Sequence, residues 1–145
     1  MTNPDDLAAR FTAGTLPKDE WTHHVHLVVG AWHVHEYGPD LALDRLRDGI
    51  RRLNASHGTV NSATSGYHET VTAAYVRVLA AYLADCPPDM PFDECAARLI
   101  ASPFVDKNLL LTFYSREMLF STRARAQWVE PDVAPLPQAV APRRG

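Results

Sequence analysis

Two cysteines, Cys86 and Cys95, are the only thiols in the chain, and their separation of nine across CPPDMPFDEC matches neither a CxxC redox pair nor a zinc knuckle. They read as reduced thiols. No apolar run approaches the roughly 18 residues a membrane-spanning helix needs, and the opening MTNPDDLAAR lacks the basic and apolar regions of a signal peptide. A cytoplasmic protein with no membrane partner is expected. The alternation of apolar and polar residues that marks a half-buried strand is missing, and no internal repeat is visible. There is no basic stripe either: the net charge is −3 with Lys and Arg scattered among Asp and Glu, so nucleic acid is not an expected partner. A small molecule is.

What the chain does hold is helical periodicity. Its 145 residues, 46% hydrophobic and 21% charged, suit one domain able to bury a core without staples. The reading is a single compact all-α domain of five to seven helices over residues 1–130, followed by a Pro-rich extended or disordered tail at 131–145. Pro4 and two acids open a first helix that Gly14 ends. Thr22 caps a second, running to about Tyr37, and YGPD closes it. Leu41, Leu43, Leu46, Ile50 and Leu53 recur at helical spacing in a third, with the arginines facing out, to about Gly58. The fourth follows YHETVT, with Ser65 or Gly66 as its cap. A fifth restarts after Pro91, and two short helices follow, with a kink near Tyr114 and Ser115.

The second helix carries WTHHVHLVVGAWHVH, five histidines in fifteen residues. At about 100° per residue His23, His26 and His33 share a side with Leu27, Gly30, Val34 and Tyr37, while His24 and His35 project elsewhere. On the fourth helix His68 falls among Val71, Thr72, Tyr75, Val76, Leu79, Tyr82 and Leu83, an inward stripe. Thr70, Ala74, Arg77 and Ala81 take the opposite side. His23 and His26, three apart, can reach one ion from one turn, and His68 would complete a three-nitrogen site with an open position. Both placements lie in first helical turns, where the macrodipole favours neutral imidazole. Glu69 is then a candidate fourth ligand, partner of a ligand, or general base. The plain alternative is that these imidazoles are hydrogen-bonded core or boundary residues, since HxxH alone is a weak motif. His24, His33, His35 and His57 read as structural or exposed, with His33 in reserve as a ligand.

FTAGTLPKDEWTHHVHL, GYHETVT, FYSREMLFSTRAR and WVEPDVAPLP resemble, in order and nearly end to end, a family of small bacterial proteins with the patterns LPxxxWTHxxHL, GYHET and YSRExLFS. The resemblance implies no activity. It does point, residue by residue, to His23, His26, His68, Glu69, Tyr114, Ser115 and Arg116. An arginine inside the apolar run LLLTFYSREMLF needs a carboxylate or an anionic ligand. Arg116 would either pair with Glu69 or Glu117 or hold a substrate carboxylate.

The resulting expectation is a small metal-dependent enzyme of hydrolase, lyase or isomerase type acting on a polar, anionic small molecule. A divalent transition metal (zinc, iron, nickel or copper) would sit on His23, His26 and His68. Glu69, Arg116 and Tyr114 would be catalytic, and Arg116, Tyr67 and Ser115 would bind substrate. The alternatives are a protein that binds metal, haem or a small ligand without turnover, and a metal-free helical interaction domain. A homodimer is compatible with either.

Overall fold

The computed structural model describes residues 3–138. Seven α-helices form, and no strand is present among the described residues. They are α1 (Pro4–Ala13), α2 (His23–Tyr37), α3 (Pro39–Ser56), α4 (Glu69–Asp85), α5 (Phe92–Ile100), α6 (Arg116–Leu119) and α7 (Thr122–Ala126). Single 3-10 turns at Lys18–Glu20, Pro103–Val105 and Leu109–Thr112 join some of them.

Local chemistry sets the boundaries. The Asn3 side chain accepts from Asp5 N–H at 2.7 Å to open α1, and Gly14, at φ +72°, closes it in the left-handed region that favours glycine. Thr22 Oγ1 accepts from Val25 N–H, so α2 starts where its cap says it should. Ser115 and Ser121 cap α6 and α7 in the same way. The cap of α4 differs from expectation. It is His68 itself, whose Nδ1 accepts from Val71 N–H at 3.1 Å. Gly66 stands two residues earlier, at φ +78°, where a Cβ would meet the Val60 carbonyl at 2.7 Å.

Packing explains why α2 is apolar around most of its circumference. It touches α1, α3, α4 and α5, and the first core cluster, including Phe11, Leu16, Leu27, Val29, Leu46, Leu53, Leu79 and Leu99, surrounds it. Complete burial of each such side chain contributes about 1.5–3 kcal/mol. A second cluster lies on another face of α4 and joins Ala74 and Val78 to Leu110, Tyr114, Leu119, Ala124, Val129 and Leu136.

That second cluster corrects the expected orientation of α4. Thr70 and Ala74, read as outward, are fully buried. Thr70 Oγ1 donates to the Gln127 carbonyl at 2.8 Å and accepts from Val129 N–H at 3.1 Å, so the segment after α7 is fastened onto this side. Only Arg77 of the four remains exposed, and its guanidinium lies 4.2 Å from the centre of the Trp128 ring. Beyond Pro131, Val133 and Ala134 N–H both donate to the Phe113 carbonyl and Leu136 is buried. The tail thus straps across the domain through residue 138, and 139–145 lie outside the described residues.

Candidate functional site

Between α2, α3 and α4 lies a cavity of about 260 Å³. Its walls are mostly apolar: Leu27 and Gly30 from α2, Leu46 and Ile50 from α3, Val71, Val76 and Leu79 from α4. The polar atoms come from Trp21, His23, His26, Thr72 and Tyr75. Gly30 keeps the space open, because a Cβ there would approach Leu79 Cδ1 to 2.9 Å.

His23 and His26 therefore do share a pocket, as their spacing implies. The His23 ring packs edge-on toward Tyr75, and its Nε2 is buried with no hydrogen-bond partner among the described residues. Burial lowers the His23 pKa, and the Val105 backbone pulls the other way without meeting Nε2 in bonding geometry. His26 stacks on Trp21, with ring centres 3.7 Å apart, and its Nδ1 lies 2.6 Å from the Thr22 carbonyl. His26 is an exposed residue, yet the protein packed around its ring pushes its pKa down to about 4. Both imidazoles are neutral near pH 7. Tyr75, raised to about 12 by burial and then by Asp106, keeps its proton.

The three-imidazole centre expected from the sequence does not form. Both nitrogens of His68 are spent: Nδ1 caps α4, and Nε2 donates to the Leu119 carbonyl at 2.7 Å. That bond turns the ring toward the second core cluster, and His68 is not among the residues lining the cavity. Among the described residues, no three His, Cys, Asp or Glu side chains are grouped to hold a metal ion.

The other candidates also have structural employment. Glu69 accepts from Arg47 Nε and Nη2, each at 2.8 Å, and from the Tyr67 hydroxyl at 2.7 Å. Those donors hold its pKa below the usual carboxylate range, Arg47 foremost. Its arginine is Arg47 on α3, not Arg116, which stands exposed at the start of α6. Tyr114 is buried and donates to the Val129 carbonyl at 2.8 Å. Ser115 holds Asp132 through its hydroxyl at 2.6 Å and its N–H at 2.8 Å. None of Tyr67, Glu69, Tyr114, Ser115 and Arg116 lines the cavity.

The remaining histidines bear out their structural or exposed reading. His33 is buried against Phe11 and Trp32 with Nδ1 2.8 Å from the Val29 carbonyl, and His57 Nε2 donates to the Leu16 carbonyl at 2.7 Å. His24 and His35 are exposed. Sequence reasoning had not singled out Trp21 and Tyr75 as site residues. Tyr75 could have been found from its place on the same helical stripe as Val71 and Leu79, and Trp21 from its place next to the Thr22 cap.

Stability should depend on pH through these rings. His23, His26, His33 and His68 all have pKa values lowered by burial, so the unfolded chain binds protons at these sites that the folded chain refuses. The stabilisation is complete above the unfolded value near 6.5 and is lost as pH falls from there toward the folded values, about 4 for His26. Discounted for its exposed surface, His26 alone accounts for about 1 kcal/mol between pH 7 and 5. Denaturant titrations across pH 4–8 should show stability rising with pH below about 6.5, and His26→Phe should flatten that slope. A stability independent of pH over this window would mean that the rings are solvated.

No family model, curated protein or solved structure matches the chain.

Proposed function

We propose that the protein is a small-ligand-binding domain whose cavity takes an uncharged, mostly apolar molecule about the size of one substituted ring. The observation that carries this reading is the 260 Å³ apolar space ending at two neutral imidazoles. An engineered apolar cavity of about 150 Å³ is enough to bind benzene, so a substituted ring fits. No lysine, arginine or carboxylate lines the walls, and a charged ligand would lose its hydration without compensation. This favours the non-catalytic alternative over an enzyme for anionic substrates.

A second reading keeps the metal. Two neutral imidazoles three residues apart on one pocket wall could supply two nitrogen ligands, with the rest of the coordination coming from a bound molecule. Elemental analysis of untagged protein separates the two: a transition metal near one per chain, abolished by His26→Ala and retained in His35→Ala, favours the metal-dependent reading.

The apolar reading is tested with ethylbenzene as the probe. Saturable shifts of the Trp21 indole and the His23 and His26 ring resonances are expected in NMR titrations, with sodium benzoate causing none. Val76→Phe, which projects a larger side chain into the cavity, should weaken ethylbenzene binding at least tenfold while leaving the fold intact. Shifts that never saturate, or that survive Val76→Phe unchanged, would count against this pocket.

A further inference from the structure

Resting on the pocket proposed above, we infer that its ligand carries a hydroxyl group, as a phenol or an alcohol does, and delivers that O–H to Nε2 of His26. The argument starts from a carbonyl. Thr22 C=O can only accept, and His26 Nδ1 lies 2.6 Å from it, so Nδ1 carries the ring's proton. On a neutral imidazole the other nitrogen, Nε2, then offers a lone pair. The tautomer is fixed by the helix's own backbone, before any ligand arrives.

His68 shows the opposite arrangement and serves as an internal contrast. Its Nδ1 accepts from a backbone N–H, so its Nε2 must donate, and it finds the Leu119 carbonyl. Both His68 nitrogens are satisfied by protein. In the pocket that is not so: His23 Nε2 is buried without a partner, and a buried unsatisfied nitrogen costs about 1–3 kcal/mol.

The other polar groups on the wall narrow the ligand further. The Tyr75 hydroxyl keeps its proton and can donate, whereas the Thr72 hydroxyl already donates to the His68 carbonyl at 2.9 Å and can only accept. A carbonyl or ether oxygen in the cavity could accept from a donor such as Tyr75 but has no proton to give His26 Nε2. A carboxylate would set its own lone pairs against that nitrogen with no cation on the wall. A protonated amine would supply donors but would be desolvated with no carboxylate to face. A hydroxyl both donates and accepts, so it can answer the His26 acceptor and still take a donor from elsewhere on the wall.

Three probes of nearly one shape test this: 4-ethylphenol, its methyl ether 4-ethylanisole, and ethylbenzene. In the native protein 4-ethylphenol should bind at least tenfold more tightly than 4-ethylanisole, which should bind about as well as ethylbenzene. His26→Phe keeps a ring against Trp21 and should erase the preference, 4-ethylphenol and 4-ethylanisole then binding alike. Independently of any variant, the Nε2 resonance of His26 in protein labelled with 15N-histidine should move on adding 4-ethylphenol and not on adding 4-ethylanisole. Equal affinities for the phenol and the ether, with both saturating, would overturn the hydroxyl inference and leave the apolar pocket standing. Failure of all three probes to bind would overturn the pocket reading and this inference with it.

Discussion

Replacing Glu69 with alanine should cost the protein about 2–3 kcal/mol, below the 3–5 kcal/mol typical of breaking a buried ion pair because its partners retain some solvent. The carboxylate satisfies three donors at once, two on Arg47 and one on Tyr67. Side-chain exposure is 28% for Arg47 and 15% for Glu69, and Arg47 keeps Asp44 as a second partner. The hydroxyl of the buried Tyr67 would lose its carboxylate acceptor and keep only the Thr72 side chain beside it. Glu69→Gln, which keeps an acceptor for that hydroxyl, should lose roughly half as much. Urea denaturation measures both. The same variants should bind ethylbenzene as the native protein does, since Glu69 does not line the cavity. Loss of binding at undiminished stability would instead return Glu69 to the site.

The Gly49→Ala variant is expected to lose about 2 kcal/mol even though alanine is the better helix former by up to about 1 kcal/mol. A Cβ at Gly49 would overlap Phe11 Cε2 and Cζ. Phe11 is 1% exposed, stacked on Trp21 and met edge-on by His33, so its ring can give way only by breaking those contacts or shifting into the cavity of about 120 Å³ that it lines with His33 and Gly49, and overpacking of this kind costs about 1–3 kcal/mol or more. The effect should not stop at stability. Phe11 supports Trp21, and Trp21 covers His26. Denaturation together with the Trp21 indole resonance would show both consequences. A more stable Gly49→Ala would mean that α1 and α3 pack less closely than described.

The sequence disclosed the architecture where local chemistry alone decides it. Thr22 before the histidine run and Gly14 and Gly38 after periodic segments fixed helix ends that depend on neither distant residues nor solvent. The approach of His23 and His26 was also legible, because three residues along one helix guarantee it. The fate of His68 was not. A histidine can cap a helix as Ser or Asp does, and only the position of Leu119, 51 residues away, reveals that its other nitrogen is already engaged. The partner of Glu69 was hidden for the same reason, since its arginine lies 22 residues upstream on another helix. The small side of α4, with Thr70 and Ala74, looked outward because nothing in its own composition announces the segment from Gln127 to Leu136 that covers it.

That covering segment has a consequence for synthesis on the ribosome. The first cluster draws on residues no later than Val105, whereas the second waits for Val129 and Leu136. At 5–20 residues per second, roughly 2–6 s of translation separates the two. Until that interval ends the Ala74 and Val78 side of a nascent α4 lacks its full cover, and chaperones that recognise apolar surface would meet it there before the strap arrives.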